Sequence, residues 1–316
     1  GEIEDIRPCI ACHNGCFAIS KGPDGTTGTN PVGNGHCALN PATLEEKKKA
    51  LTPAAVKKKV AVIGGGIGGM EAARVAALRG HSVTLYEKSG ELGGVFIAAA
   101  APSFKEKDKM LIAWYIRQLE KLKVDIRLDS EITPENLSSL DADEIIIATG
   151  AKCRSLRADG ADRENVMNAV EYLRGYKETG ENVVIVGGGL TGCEIAYDAV
   201  LKGKKPVIVE LMDDILNVPN LCAANSNMLR EILRYYRIPV YTQTKTTAIT
   251  DAGVEIEGPE GKKTLPADSV VTSIGYIPGS GLAEKDGKNI HIIGDAARVG
   301  NLMNAIWQAY DVARAI

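Results

Sequence analysis

The sequence predicts an α/β protein with two Rossmann-like domains in tandem, preceded by a cysteine-rich segment. Three observations carry this. A G-x-G-x-x-G pattern falls at Gly64, Gly66 and Gly69, between two apolar β-branched runs. The pattern recurs at Gly187, Gly189 and Gly192. Four of the seven cysteines, Cys9, Cys12, Cys16 and Cys37, precede the first glycine motif.

The stretch from Val60 to Glu87 reads as strand, turn, helix and second strand. Gly64 permits a tight turn, Gly66 lets backbone approach a pyrophosphate, and Gly69 lets the helix pack close to the strand. A helix start of this kind offers unpaired N–H groups and a positive dipole end to phosphates, while the Glu87 carboxylate can accept ribose hydroxyls. From Val183 the pattern repeats, and Glu210 stands as far from Gly187 as Glu87 stands from Gly64. Asp143 to Gly150 also matches Asp268 to Gly275 in register, each an apolar strand reaching a glycine. Two dinucleotide-binding folds in series account for this, where a chance turn would not.

Periodicity supplies the remaining elements. Leu111, Trp114, Tyr115, Leu119 and Leu122 recur at helical spacing between Phe104 and Lys123, and a strand over Val124 to Leu128 follows. Met228, Leu229, Ile232, Leu233 and Tyr236 form a second core-facing stripe. Thr246 to Val271 reads as a small antiparallel meander, Ile290 to Asp295 as a strand ending in Gly-Asp, and Leu302 to Ile316 as a helix.

The cysteine spacing is the other signal. Two and three residues separate Cys9, Cys12 and Cys16, so a short loop can turn these thiolates toward one centre that Cys37 closes from beyond a polar loop. An iron–sulfur cluster, a zinc ion and unliganded thiols all remain open on spacing alone. His13 and His36 lie beside the cysteines as replacement ligands or as supporting residues. The other cysteines, Cys153, Cys193 and Cys222, are scattered, and Cys193 is expected to be a packed helix residue.

A net charge of −3 gives no electrostatic case for nucleic acid, and the lysine runs 47–49 and 57–59 read as a solvated connector. No run is long and apolar enough to span a bilayer, and no signal peptide opens the chain, so a cytoplasmic protein is expected. The start at Gly1 without Met suggests a fragment or a processed chain.

The first glycine motif, Ala148-Thr149-Gly150, the second motif and the terminal Gly294-Asp295 occur in the order found in two-dinucleotide flavoprotein reductases. The resemblance implies FAD held by Gly64, Gly66, Gly69, Glu87, Lys88, Ala148, Thr149 and Gly150. Gly93 and Gly94 would lie near the flavin, and Gly294 and Asp295 at its ribityl or pyrophosphate oxygens. Gly187, Gly189, Gly192, Glu210 and Gly275 would hold NAD(H). Glu210 favours NADH over NADPH because a carboxylate repels a 2′-phosphate, and Asp213 and Asp214 follow it; Lys204 and Lys205 precede the strand.

IRPCIACHNGC, then CALNP, then the linker into GGGIGGMEAA, resembles the old-yellow-enzyme-related iron–sulfur flavoenzymes of the 2-enoate and 2,4-dienoyl-CoA reductase type. The likeness covers essentially the whole chain, although the loop before Cys37 carries the extra residues TTGTNPVG. It implies a 4Fe-4S cluster on Cys9, Cys12, Cys16 and Cys37. Electrons would pass from NADH through FAD and the cluster to FMN in a TIM barrel absent here, where a conjugated double bond is reduced. A homo-oligomeric full-length enzyme is also implied, and no catalytic side chain is assigned. Other readings are an ADP-binding module as in trimethylamine dehydrogenase, and a stand-alone NADH oxidase or diaphorase. The expected domains are 1–56, the cysteine segment and linker; 57–152 plus 284–316, FAD-binding; and 153–283, NAD(H)-binding. Thiol–disulfide chemistry is not expected, because Val95 and Phe96 follow Gly94 and no later C-x-x-C pair occurs.

Overall fold

Continuous β-branched apolar runs such as Val183-Val184-Ile185 bury on both faces, which suits parallel strands covered by helices on either side. A computed structural model describes residues 2–16, 19–21, 27–29, 35–218, 221–279, 281–284 and 289–316. The cysteine segment contributes an antiparallel pair, β1 (Ile19–Lys21) and β2 (Thr27–Thr29). Otherwise the loop that lengthens the approach to Cys37 lies outside the described residues.

A first unit follows with β3 (Lys59–Ile63), α1 (Ile67–Leu78), β4 (Ser82–Tyr86), α2 (Val95–Ala99), α3 (Glu106–Lys121), β5 (Asp125–Arg127) and β6 (Glu144–Ile147). The chain then leaves through β7 (Ala151–Cys153). A second unit holds β8 (Val166–Asn168), α4 (Ala169–Arg174), β9 (Asn182–Val186), α5 (Leu190–Leu201), β10 (Lys205–Val209), α6 (Ala223–Tyr235) and β11 (Val240–Tyr241). It continues through β12 (Lys245–Thr250), β13 (Gly253–Gly258), β14 (Gly261–Leu265) and β15 (Ser269–Thr272). The return runs through β16 (Tyr276–Pro278) and β17 (Ile290–Ile292) to α7 (Leu302–Ala315).

The first sheet is ordered β17-β6-β3-β4-β5 and the second β8-β15-β9-β10-β11, both wholly parallel. The orders correspond strand for strand. Only the outer strand differs in origin: β17 returns from the end of the chain, whereas β8 enters ahead of β9. The sequence repeat is therefore a repeat in space, with each glycine turn where strand order reverses, the usual ligand crevice of such sheets.

Two expectations need correction. The meander ends at Leu265, because Ser269, Val270, Val271 and Thr272 are all buried and pair in parallel with β9 instead. The lysine run 47–49 is not simply solvated connector: Lys49 is 8% exposed and ion-paired with Asp311 of α7 at 2.6 Å. Periodicity also gave no sign of β7 and β16, whose antiparallel pairing of Cys153 with Tyr276 links the two units. The units touch again where Phe104 packs on Tyr197 with ring centroids 4.8 Å apart and Lys105 pairs with Glu194 at 2.6 Å. No described helix is long and apolar enough to cross a membrane.

Candidate functional site: two carboxylate-locked turns and a thiol loop

In the first turn Gly64 takes φ of +107°, and a side chain at Gly69 would put its Cβ 1.8 Å from the Gly64 carbonyl oxygen. That close approach lets α1 start directly above β3. Around Gly66, the N-cap of α1, a Cβ would meet nothing within 4 Å, and no side chain caps the helix. The first N–H groups of α1 are thus left for a ligand, and the space above Gly66 is open for it. Glu87 closes the turn from the end of β4: its Oε2 accepts the Gly65 N–H at 2.7 Å, and its Oε1 accepts the Ser89 N–H and hydroxyl at 2.8 Å each. A carboxylate has about four acceptor positions, so one remains for a ribose hydroxyl.

The second turn repeats the backbone part of this arrangement, without a counterpart to the Ser89 hydroxyl. A Cβ at Gly192 would stand 2.0 Å from the Gly187 carbonyl oxygen. Glu210 accepts the Gly188 N–H at 2.6 Å and the Met212 N–H at 2.7 Å, leaving two positions for a ribose. Gly65 and Gly188, the middle members of each triplet, were missed by reading G-x-G-x-x-G alone. A Cβ there would lie 2.5 Å from Leu92 and 2.6 Å from Ile215 respectively. The signal was present in the sequence as Gly-Gly-Gly in both copies. Arg230 of α6 was also missed: it forms a two-pronged pair with Asp214 at 2.8 Å on each arm.

Other expected residues gather at the first turn. Gly66 bridges in parallel to Gly93, Gly93 donates its N–H to the Gly65 carbonyl at 2.8 Å, and Gly94 caps α2. The Ala148 carbonyl lies 2.5 Å from where a Gly64 Cβ would be, Thr149 is exposed beside it, and Gly150 turns the chain out into β7. Gly294 and Asp295 follow β17 at the adjacent strand end, where Asp295 accepts the Gly300 N–H at 2.9 Å. Burial raises the Asp295 carboxyl above its ordinary range. Lys88 is exposed just past Glu87. In the second turn Gly275 ends the strand equivalent to the one that Gly150 ends, and it accepts the Arg154 N–H at 2.9 Å.

The thiol loop is built by left-handed backbone at two non-glycine residues, Ala11 with φ of 55° and His13 with φ of 53°. Such strain persists only where surroundings impose it, and it concentrates at functional sites. It lets the Ala11 N–H donate to Cys9 Sγ at 3.4 Å. Gly15 is packed so tightly against the second limb that its Cβ would lie 2.7 Å from the His36 carbonyl, which brings the loop to Cys37. Cys12 and Cys37 are half-buried, and Cys9 and Cys16 exposed. Burial raises the Cys12 thiol, and the charges of Cys37, Cys16 and Cys9 add to that. Among the described residues no group of three or more Cys, His, Asp or Glu is gathered to hold a metal ion. His36 stands edge-on to Trp307, with ring centroids 5.7 Å apart. Cys193 is fully buried in α5 and donates to the Gly188 carbonyl, as expected for a packed helix residue.

The loop is fastened to the first unit from two sides. Arg7 bonds the Leu39 carbonyl and reaches Glu71 of α1 at 3.4 Å. Glu71 is 0% exposed and also pairs with Arg74 at 2.8 Å. Burial alone would raise the Glu71 carboxyl, but the Arg74 and Arg7 charges outweigh it and hold it low. On the other side the Trp307 indole donates to the Cys37 carbonyl at 3.0 Å. Asn225 of the second unit donates to the Cys12 carbonyl at 3.0 Å.

Tandem parallel sheets, each carrying a dinucleotide turn locked by a carboxylate, define a pyridine-nucleotide-dependent flavoprotein oxidoreductase that binds FAD and NAD(H). Residues 58–314 match the family described as pyridine nucleotide-disulphide oxidoreductase, and the chain belongs to it. It is 40% identical over its whole length to 46% of a cinnamate reductase of Clostridium sporogenes. It is 36% identical over 99% of its length to 48% of an NADH oxidase of Thermoanaerobacter brockii. Among solved structures, a 2-naphthoyl-CoA reductase bound to 2-naphthoyl-CoA matches 99% of this chain and 47% of its own, at TM-score 0.88 and 32% identity. The chain spans about half the length of the curated relatives it matches, and corresponds to the FAD/NAD reductase part of old-yellow-enzyme-related flavoenzymes.

Proposed function

We propose that the chain is the NADH-oxidising part of a larger reductase. Residues 57–152 with 284–316 form its FAD-binding domain, 153–283 its NAD(H)-binding domain, and 1–56 its 4Fe-4S segment. The observation that carries this reading is the fastening of the strained cysteine loop, through Arg7 on Glu71 and Trp307 on Cys37, to the unit that bears the first of two carboxylate-locked glycine turns. A bound flavin accepts a hydride and releases electrons singly, and a cluster on four thiolates takes them one at a time. The chain's own residues bind and orient. N–H groups at the starts of α1 and α5 hold the two pyrophosphates, Glu87 and Glu210 fix the riboses, and Asp295 accepts from the ribityl chain. Cys9, Cys12, Cys16 and Cys37 ligate as thiolates.

The names of the relatives support an onward acceptor with an activated carbon–carbon double bond, such as a cinnamate-like acid or an aromatic acyl thioester. Its reduction would take place in an FMN-binding TIM barrel, on the same natural chain or on a separate subunit, within a cytoplasmic homo-oligomer. Residues that protonate the double bond belong to that barrel, so none is assigned here. With the chain alone under anaerobic conditions, NADH should bleach a flavin band and drive reduction of an artificial dye, without turnover of cinnamate. Cinnamate reduction by this chain alone overturns the reading. A flavin-free spectrum favours an ADP-binding module, and rapid consumption of oxygen favours a stand-alone NADH oxidase.

A further inference from the structure

The two-stranded ribbon that links the units meets both dinucleotide turns, alike in backbone and differently in side chain. Gly150 and Gly275 end equivalent strands of the two units, and each leads directly into one strand of the ribbon, β7 or β16. Across the ribbon each glycine carbonyl accepts the N–H of the residue opposite: Gly150 from Gly279 at 3.2 Å, and Gly275 from Arg154 at 2.9 Å. The register of Cys153 with Tyr276 and of Ala151 with Pro278 makes these contacts the symmetric ends of one ladder. At the first end the opposing residue is a glycine and brings no side chain. At the second it is an arginine.

The stem of Arg154 is fixed. Its Cδ and Nε lie 3.9 Å from where a Gly275 Cβ would be, and Nε donates to the Tyr276 carbonyl at 3.2 Å. Two residues before Gly275, the Ser273 carbonyl oxygen lies 2.3 Å from the Cβ position of Gly187, so the stem rests at the end of the strand that flanks the second glycine turn. Among the described residues no carboxylate pairs with Arg154, whereas Arg163, Arg174 and Arg230 are each paired with an acid. Its terminal nitrogens are left for an anion at the carboxyl end of the second sheet, where a dinucleotide lies in such folds.

We propose that Arg154 is a binding residue for the pyrophosphate of NAD(H), reaching the second turn from the strand by which the chain leaves the first unit. This rests on the reading of the second unit as the NAD(H)-binding domain. A guanidinium can hold phosphate oxygens through two parallel N–H donors, and it adds a full positive charge to the partial one at the start of α5. Glu210 and Arg154 then divide the coenzyme between them, the carboxylate taking sugar hydroxyls and the guanidinium taking phosphates.

The test compares Arg154→Met and Arg154→Lys with the unaltered flavin-loaded chain, by calorimetric titration with ADP-ribose and with adenosine. Arg154 is exposed, so both variants should fold with unchanged flavin content and thermal midpoint. The dissociation constant for ADP-ribose should rise about tenfold in Arg154→Met, as loss of a charge-assisted hydrogen bond predicts, and recover in part in Arg154→Lys. Adenosine, which has no phosphate, should bind all three chains equally. When NADH bleaches the flavin, the half-saturating NADH concentration should rise in Arg154→Met while the limiting rate stays the same. Unaltered ADP-ribose binding in Arg154→Met, an equal weakening of adenosine, or loss of flavin in its place overturns this inference and leaves the proposed function standing. An unaltered chain that binds neither ADP-ribose nor NAD⁺ overturns the assignment of the second unit as well.

Discussion

Asp214 holds Arg230 in a two-pronged ion pair, both arms 2.8 Å, while the same guanidinium donates to the Ile215 carbonyl at 2.6 Å. Arg230 is therefore held against the segment that follows Glu210, with its charge already neutralised by Asp214. A 2′-phosphate arriving beside Glu210 would meet acids and a spent arginine, which favours NADH over NADPH. Asp214→Ala frees that guanidinium. A charge-assisted hydrogen bond contributes about 1.5–3 kcal/mol, so kcat/KM for NADPH relative to NADH should rise roughly tenfold or more. Steady-state dye reduction with each coenzyme measures the ratio, and an unchanged ratio would place Arg230 outside the coenzyme site.

The paired glycines offer a way to switch off one turn at a time. A methyl group at Gly192 has no room beside the Gly187 carbonyl, so Gly192→Ala should push α5 away from β9 at a cost of about 1–3 kcal/mol. The variant should keep its flavin and lose NADH-driven dye reduction, while dithionite still bleaches it. Gly69→Ala, with the same clash beneath α1, should instead lose flavin on desalting. Flavin content and NADH-dependent bleaching, measured side by side, separate these outcomes.

These turns were legible because their constraints are local: a glycine is demanded where a helix starts against its own strand, and an acid where the next strand ends. The amphipathic stripe from Leu111 to Leu119 was legible for the same reason, since its period lies within one element. What escaped depends on partners far away in sequence. Trp307 meets Cys37 across 270 residues, Gly15 is small because of His36, and Lys49 is buried only because α7 brings Asp311 to it. The three-residue strands β7 and β16 carry too little pattern to show a period, so the link between the units came from pairing alone. The cysteines lie between these cases. Their spacing suggested a common centre, while the left-handed turns at Ala11 and His13 that shape the loop leave no mark on composition.

Glu71 joins the cysteine segment to the flavin unit, and its burial between Arg7 and Arg74 makes it a sensitive point. Removing one member of a buried ion pair leaves a charge uncompensated and costs about 3–5 kcal/mol. Glu71→Gln should therefore lower the thermal midpoint sharply, more than Arg7→Met, because Arg74 is the partner left deepest. Arg7→Met should instead loosen the cysteine loop, seen as faster alkylation of Cys9 and Cys12 with little change in the melting of the first unit. Equal alkylation rates would mean that Arg7 does not hold the loop.

The contact between the units carries a titratable group of its own. Asp108 of α3 is 7% exposed, and burial pushes its carboxyl up to about 6; Lys105 opposes that at 3.8 Å, while Glu194 of α5 and Glu106 add to it. Lys105 is shared, since it also pairs with Glu194 at 2.6 Å. For a carboxyl raised in the folded state above its unfolded value near 3.8, the stabilising contribution is complete below 3.8 and is lost as pH rises through about 6. A shift of this size corresponds to at most about 3 kcal/mol. The thermal midpoint should fall between pH 4 and pH 7 by more than in Asp108→Asn, which keeps the shape and drops the charge. At pH 7.5 Asp108→Asn should melt higher than the unaltered chain, whereas at pH 4 the two should nearly coincide. Coincident curves across the whole range would show that Lys105 neutralises the carboxylate fully and that the contact does not respond to pH.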